Sequence, residues 1–208
     1  MKLLVLGATG GIGMEVVRQA VERGHTVTAL VRAAARLEPF GNRITTIEGD
    51  LLDSHTLRRA LTGQDAVLSA FGPRVPIAKS DAHLLRDFGA ALTDAMKKAV
   101  VQRGIVVSTA FLFKDAVLPP AYLFGRLLFP GVVTDATEME KILRTSGLDL
   151  TIVRPPQLTD KPYTGRYRVR AGHLPFFGFK IARADVADFM IRTAESGGFL
   201  RAVVGVCK

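Results

Sequence analysis

Leu3-Leu4-Val5-Leu6-Gly7-Ala8-Thr9-Gly10-Gly11-Ile12-Gly13 is the stretch on which the reading of the fold turns. Four consecutive apolar residues suit a strand covered on both faces. They run directly into a glycine-rich turn, after which Ile12, Val16, Val17, Ala20 and Val21 recur at helical spacing. Strand, turn and amphipathic helix together let backbone N–H groups and a helix N-terminus meet a pyrophosphate. Gly7 permits the sharp exit from the strand. Gly10 lets the backbone touch phosphate with no β-carbon between, and Gly13 lets the helix pack close to the sheet. Thr9, Gly11 and Ile12 complete the turn. The spacing is G-x-x-G-x-x-G, not the common G-x-G-x-x-G, and the bland alternative is a tight strand-helix connection.

Working outward, short apolar runs alternate with helical periodicity. Thr26–Val31, Ile44–Ile47, Ala66–Ala70, Ile105–Val107 and Leu150–Val153 read as strands. Leu84, Leu85, Phe88, Leu92, Met96 and Val100 define one long helix, and Met139, Ile142 and Leu143 another. Gly24, Gly41, Gly63, Gly104 and Gly147 punctuate the loops. Strand-helix alternation predicts an α/β, doubly wound, parallel-sheet Rossmann fold. No repeat or linker interrupts it, so one domain over residues 1–208 is expected. Residues 1–154 form mainly the cofactor half. Residues 155–208 are mainly a substrate-pocket region: an irregular segment at 155–182 with a possible strand Tyr163–Arg170, a helix Ala184–Ala194 and a strand near Arg201–Val206.

The 48% apolar and 23% charged content rules out wholesale disorder. A single cysteine, Cys207, excludes an internal disulfide and fits a reducing compartment. Met1–Leu6 imitates a signal peptide, but the apolar run stops at Gly7, and residues 116–133 are broken by Pro119, Pro120, Arg126 and Pro130. No membrane span and a cytoplasmic location follow as expectations. Net charge, 28 − 19 = +9, favours anionic partners. His25, His55, His83 and His173 lack ligand spacing, so no metal is expected. Nucleic-acid modules and a hydrolase elbow are absent. Arg166, Arg168 and Arg170 alternate along one strand face, where a solvated edge is the favoured reading over phosphate or nucleic-acid contact.

A ribose-reading residue is due ~20 positions after the turn. Arg32 stands there, at the end of Thr26–Val31, where an NAD-preferring site would hold an acid, and Arg36 follows one turn on. A guanidinium pair suits a 2′-phosphate, so NADP(H) is favoured over NAD(H).

With these residues in place, the chain resembles the atypical short-chain dehydrogenase/reductase superfamily, and within it the NAD(P)H-binding group of biliverdin reductase B (flavin reductase) and NmrA-like proteins. The likeness rests on Gly7–Gly13, Leu30–Arg36, Gly49-Asp50-Leu51, residues 63–67, Ser108-Thr109-Ala110-Phe111-Leu112, Arg154-Pro155-Pro156, Pro162-Tyr163-Thr164-Gly165 and Ala182–Ala187. The resemblance implies that Asp50 and Leu51 hold the adenine edge, that Ala70, Phe71 and Gly72 pass the ribose, that Arg74 lies near the phosphates, and that Pro156 borders the cofactor. For Phe71 a core aromatic is the rival reading.

Members of that superfamily usually carry Tyr-x-x-x-Lys and a serine ending the fifth strand. Here Lys141 is present, on a helix expected to start at Thr134 or Asp135, but Thr137 stands in place of the Tyr. A threonine is too weak an acid to protonate an alkoxide. A flavin, quinone or bilin spreads the incoming charge over its own π-system, so such a conjugated acceptor fits the missing phenol. Thr109 aligns better than Ser108 with the functional serine. Gln157 stands where the likeness suggests a histidine, and Phe111 falls in the preceding irregular segment; both are substrate-side candidates. Phe113, Tyr122, Phe124, Phe129, Phe176 and Phe177 either line a flat pocket or fill the core under their loops. The expected activity is an NADPH-dependent reductase acting as a monomer or small homo-oligomer. A non-catalytic NADP(H) sensor is the alternative, and a sugar-nucleotide epimerase comes third.

Overall fold

The structure, a computed structural model, describes residues 1–72, 83–112 and 130–208. Arg74, Phe113, Tyr122, Phe124 and Phe129 lie outside them. In chain order the elements are β1 (Lys2–Leu6), α1 (Gly11–Glu22), β2 (Thr26–Val31), a 3-10 segment (Ala35–Arg43), β3 (Ile44–Glu48), α2 (Ser54–Leu61), β4 (Ala66–Ser69) and α3 (Leu84–Ala99). There follow β5 (Arg103–Val107), a 3-10 turn (Ala110–Leu112), α4 (Pro130–Thr145), β6 (Asp149–Arg154), β7 (Gln157–Thr159), β8 (Arg168–Ala171), β9 (Lys180–Ala182), α5 (Arg183–Ser196) and β10 (Ala202–Cys207).

Eight strands form one sheet in the order β3-β2-β1-β4-β5-β6-β10-β8, parallel except for the edge strand β8. β7 and β9 make a separate parallel pair. This is the expected Rossmann architecture, and its strand order reverses between β1 and β4, where such sheets bind ligands. Alternation along β1 divides the core. Leu3 and Val5 pack with Val16, Val17 and Ala20 of α1 and Val186 and Met190 of α5. Leu4 and Leu6 pack with Leu57, Phe88, Met96 and Met139 from α2, α3 and α4. All four β1 leucine and valine side chains are fully buried, which is why that strand shows no polar alternation.

Several expectations are corrected. Gly104 lies inside β5, not in a loop, and it is glycine there for close packing: a β-carbon would stand 2.6 Å from Leu150 Cδ2 and 3.1 Å from Val67 Cγ1. Val100 leaves the apolar face of α3: it ends the helix in the left-handed conformation (φ 60°) and is exposed. α2, not anticipated from the sequence, has eight residues, too few for a clear period, and is signalled by its cap Asp53, which accepts from the His55 and Thr56 amides. The expected strand Tyr163–Arg170 shrinks to Arg168–Ala171. Buried Asp185 of α5 draws the preceding loop away, accepting from the Thr164 amide, the Thr164 hydroxyl and the Gly165 amide at 2.8–2.9 Å.

α4 begins at Pro130 rather than at Thr134 or Asp135. Asp135 is buried and serves a different helix: its carboxylate accepts from the Leu85 and Arg86 amides at the start of α3. His83, the residue preceding α3, makes no side-chain cap of its own.

Candidate functional site

The β1–α1 turn is shaped by its own backbone. Gly7 has φ +71°, and a β-carbon there would stand 2.7 Å from the Ala70 carbonyl and the Phe71 nitrogen, so glycine alone lets β1 and β4 exits lie together. At Gly13 a β-carbon would collide with the Gly7 carbonyl. Gly10 precedes α1 without a side-chain cap, and no acidic residue lies in the first turn of α1. The positive end of the helix is therefore left to an anion.

Around this turn opens a cavity of about 600 Å³. Gly7, Thr9, Gly10, Gly11 and Ile12 form one wall, and Arg32 and Arg36 form another at the end of β2. Leu51 follows β3, and Ala70, Phe71 and Gly72 follow β4. Most of the anticipated cofactor residues thus share one space. Among the described residues Arg32 and Arg36 make no ion pair, and both are exposed. Phe71 borders the cavity and also packs on the core, its ring centroid 4.7 Å from that of Phe88.

Other candidates fall elsewhere. Gly13 packs beneath the turn rather than lining the cavity. Asp50 is exposed and its carboxylate accepts from the Leu52 amide at 3.0 Å, a local turn bond. Lys141 is exposed on α4 and does not line the cavity, while the Thr137 hydroxyl donates to the Val133 carbonyl at 2.7 Å. Ser108 and Thr109 follow β5 at the same sheet edge without reaching the cavity wall. The Ser108 Oγ is buried without a hydrogen-bond partner among the described residues, an unmet demand that a ligand can satisfy. Pro156 and Gln157 sit outside the cavity; Gln157 is exposed and its backbone N–H donates to the Phe179 carbonyl. The Ala110 amide donates to the Pro155 carbonyl, so the turn carrying Phe111 abuts that segment. Phe176 and Phe177 neither line the cavity nor join the core; both are exposed.

Among the cavity residues given no role in the sequence reading are Leu158 of β7 and Arg183 at the start of α5, which come from outside the cofactor half. The Arg183 side chain overlies Gly11 and pairs with Asp160 at 2.5 Å. A cation between a strand end and a helix start is the available signal. It is faint because β9, three residues long, is too short to recognise from its pattern. Equally silent in the sequence is Glu140, buried on α4, which accepts from Arg154 at the end of β6 at 2.5 and 2.9 Å.

Residues 7–196 match the model of a family described as NAD(P)H-binding. The chain belongs to that family. It is 31% identical to the photosystem II assembly factor Ycf39 of Synechocystis over 74% of this chain and 44% of the relative. Curated relatives of this kind are longer, and the chain spans about half their length. Among solved structures, a Burkholderia pseudomallei protein described as exported is 31% identical with a TM-score of 0.82, covering 100% of both chains. A Streptococcus pneumoniae protein described as an NADH-flavin reductase is 25% identical with a TM-score of 0.78, covering 100% of this chain and 99% of that one. No helix among the described residues is long and apolar enough to cross a membrane.

Proposed function

We propose that the chain is a cytoplasmic NADPH-dependent reductase that passes hydride to a small-molecule flavin, quinone or bilin. The observation that carries this reading is the meeting, in one cavity, of the glycine turn with Arg32 and Arg36. The uncapped start of α1 suits a pyrophosphate, and the two guanidinium groups suit a 2′-phosphate through forked, charge-assisted hydrogen bonds. Leu51 would border the adenine, and Ala70, Phe71 and Gly72 would border the ribose. When bound, the reduced nicotinamide supplies the hydride.

The chain's own residues then position rather than protonate. Thr137 spends its hydroxyl on the helix backbone, and a general acid at the usual tyrosine place is missing. Reduction of an acceptor that carries its own charge needs proximity and orientation, which a rigid sheet edge supplies. Ser108, whose buried hydroxyl has no partner among the described residues, and Thr109 are the proposed contacts to the reacting end, with Gln157 and the turn at Phe111 on the acceptor side. Residues 155–208 form the acceptor half of a single domain. Lys141 keeps its proposed place at the nicotinamide ribose on the strength of the family likeness alone.

The test is NADPH oxidation across a panel of flavins, quinones and bilins, with NADH in parallel. Turnover of one acceptor class with NADPH preferred supports the reading. Tight NADPH binding without turnover of any acceptor overturns it in favour of the second reading, a redox-sensing partner protein. That reading draws on the absent phenol and on the similarity to an assembly factor.

A further inference from the structure

β8 is the outer edge of the sheet; Arg168 and Arg170 are exposed along it, and Arg166 is exposed just before it. The chain leaves β8 through Gly172-His173-Leu174-Pro175 and reaches Phe176-Phe177-Gly178-Phe179 before β9. Phe176 is 75% exposed, Phe177 70% and Phe179 54%. Their ring centroids lie 4.2 Å (Phe176 to Phe177) and 6.3 Å (Phe177 to Phe179) apart, one continuous apolar tip. The tip is held in place from below. Arg168 Nη1 donates to the Phe176 carbonyl at 2.6 Å, and the Gly178 amide donates to the Pro175 carbonyl at 3.0 Å. Gly178 is pressed so close to Cys207 that a β-carbon would stand 2.5 Å from its sulfur, while Leu174 is buried against the same cysteine. Three phenyl rings are thus exposed by construction, an arrangement that marks an interaction site.

The surrounding charge identifies the partner. From Lys161 to Ala182 the sequence carries no Asp or Glu, only the cations Lys161, Arg166, Arg168, Arg170 and Lys180. A second copy of the chain fits this surface poorly, because a two-fold contact would set the same arginines against one another with no carboxylate to pair them. Nucleic-acid bases fit poorly too. The rings are inclined at 63° and 48° to their neighbours, a wedge rather than a flat stacking ledge. An apolar wedge flanked by Lys180 in the chain and by the exposed arginines of β8 matches the headgroup region of an anionic bilayer, where rings enter the acyl boundary and guanidinium groups meet phosphates.

We propose that Phe176, Phe177 and Phe179 form a peripheral docking wedge for an anionic lipid bilayer, with Arg170 and Lys180 among the cations that hold it there. The wedge lies at the same sheet edge as the dinucleotide cavity, since Arg168 pairs with Cys207 at the end of β10 and β9 leads straight into Arg183. Docking therefore turns that edge toward lipid. On the reductase reading, and only on it, this favours an acceptor dissolved in the bilayer.

The experiment is flotation of the full chain with vesicles of phosphatidylcholine alone or with roughly 30% phosphatidylserine, at low and high salt. Expected is salt-sensitive binding to the phosphatidylserine vesicles only. The double variant Phe176→Ser/Phe177→Ser should lose most of it, and Arg170→Gln/Lys180→Gln should weaken it about fivefold per charge removed. Both variants alter exposed side chains and should keep the wild-type melting temperature and NADPH affinity, which separates this test from that of the cofactor site. Absence of binding to anionic vesicles, or equal binding by wild type and the phenylalanine variant, overturns the proposal. So does a wild-type dimer in sedimentation that the phenylalanine variant abolishes, or single-stranded oligonucleotide binding that anionic vesicles fail to displace.

Discussion

The Arg183 side chain lies across Gly11: a β-carbon on Gly11 would stand 2.5 Å from the arginine Cδ and 2.8 Å from Nε. At Gly13 the obstacle is instead the backbone carbonyl of Gly7. Flexible side chains move and backbone does not, so two alanine substitutions two residues apart should behave oppositely. Gly11→Ala should keep stability within about 1 kcal/mol while displacing Arg183 and weakening dinucleotide binding. Gly13→Ala should cost about 3–5 kcal/mol through forced separation of α1 from the turn. Urea melts and NADPH titration of both variants check this pair.

Arg32 and Arg36 face the cavity without an ion-pair partner among the described residues. Arg32→Ala should lower NADPH affinity about 10- to 100-fold, the worth of a charge-assisted phosphate contact, and leave NADH affinity nearly unchanged. Arg36→Ala should do the same more weakly. Calorimetric titration of each variant with both dinucleotides reads the result, and equal wild-type affinities would remove the role assigned to the pair.

Asp135 ties α4 to α3 by accepting two amides at the α3 start. Asp135→Ala strands the Leu85 amide in the interior and should cost about 2 kcal/mol, lowering the melting temperature by roughly 4–8 °C. Asp135→Asn retains an acceptor oxygen and should recover part of the loss. Thermal melts of the two variants beside wild type read both effects.

Asp188 is fully buried and gathers Tyr167, Arg23 and Arg192, with the Tyr167 hydroxyl at 2.6 Å and Arg192 Nε at 3.0 Å. Burial alone would raise its carboxyl pKa; hydrogen bonds from Tyr167 and Arg192 and the charges of Arg192 and Arg23 outweigh that and hold it below the usual carboxylate range. The same burial and the neighbouring Asp188 push the Tyr167 phenol up. A carboxylate depressed in the folded state stabilises fully above its unfolded pKa, and that contribution is lost as pH falls through the depressed value. Asp188→Asn should therefore cost about 3 kcal/mol near neutrality, and the gap from wild type should close below pH ~4. Denaturant melts at graded pH test the convergence.

Strand-helix alternation, the glycine turn and the arginines after β2 are all legible in the amino-acid sequence. Each is a local property: apolar run length reports burial on two faces, helical spacing reports one buried face, and a glycine turn reports backbone geometry. The gathering of Gly7, Arg32, Leu51 and Ala70 into one cavity is foreseeable too, because parallel strands deliver their ends to a common edge.

What only tertiary structure decided depends on partners far apart in the chain. Asp135 has the residue type of a cap for its own helix and instead caps α3, since its place on α4 faces the start of that neighbour. Arg183 reaches the cavity from the end of a three-residue strand, and buried Glu140 finds Arg154 fourteen residues away. The phenylalanines at 176 and 177 have the same hydrophobicity as core residues, and their exposure follows from the loop anchored by Arg168, Gly178 and Cys207. Residue type and spacing specify which surfaces must be covered; which side chain covers or caps them is settled by the geometry of packed elements, where long-range neighbours compete for the same space.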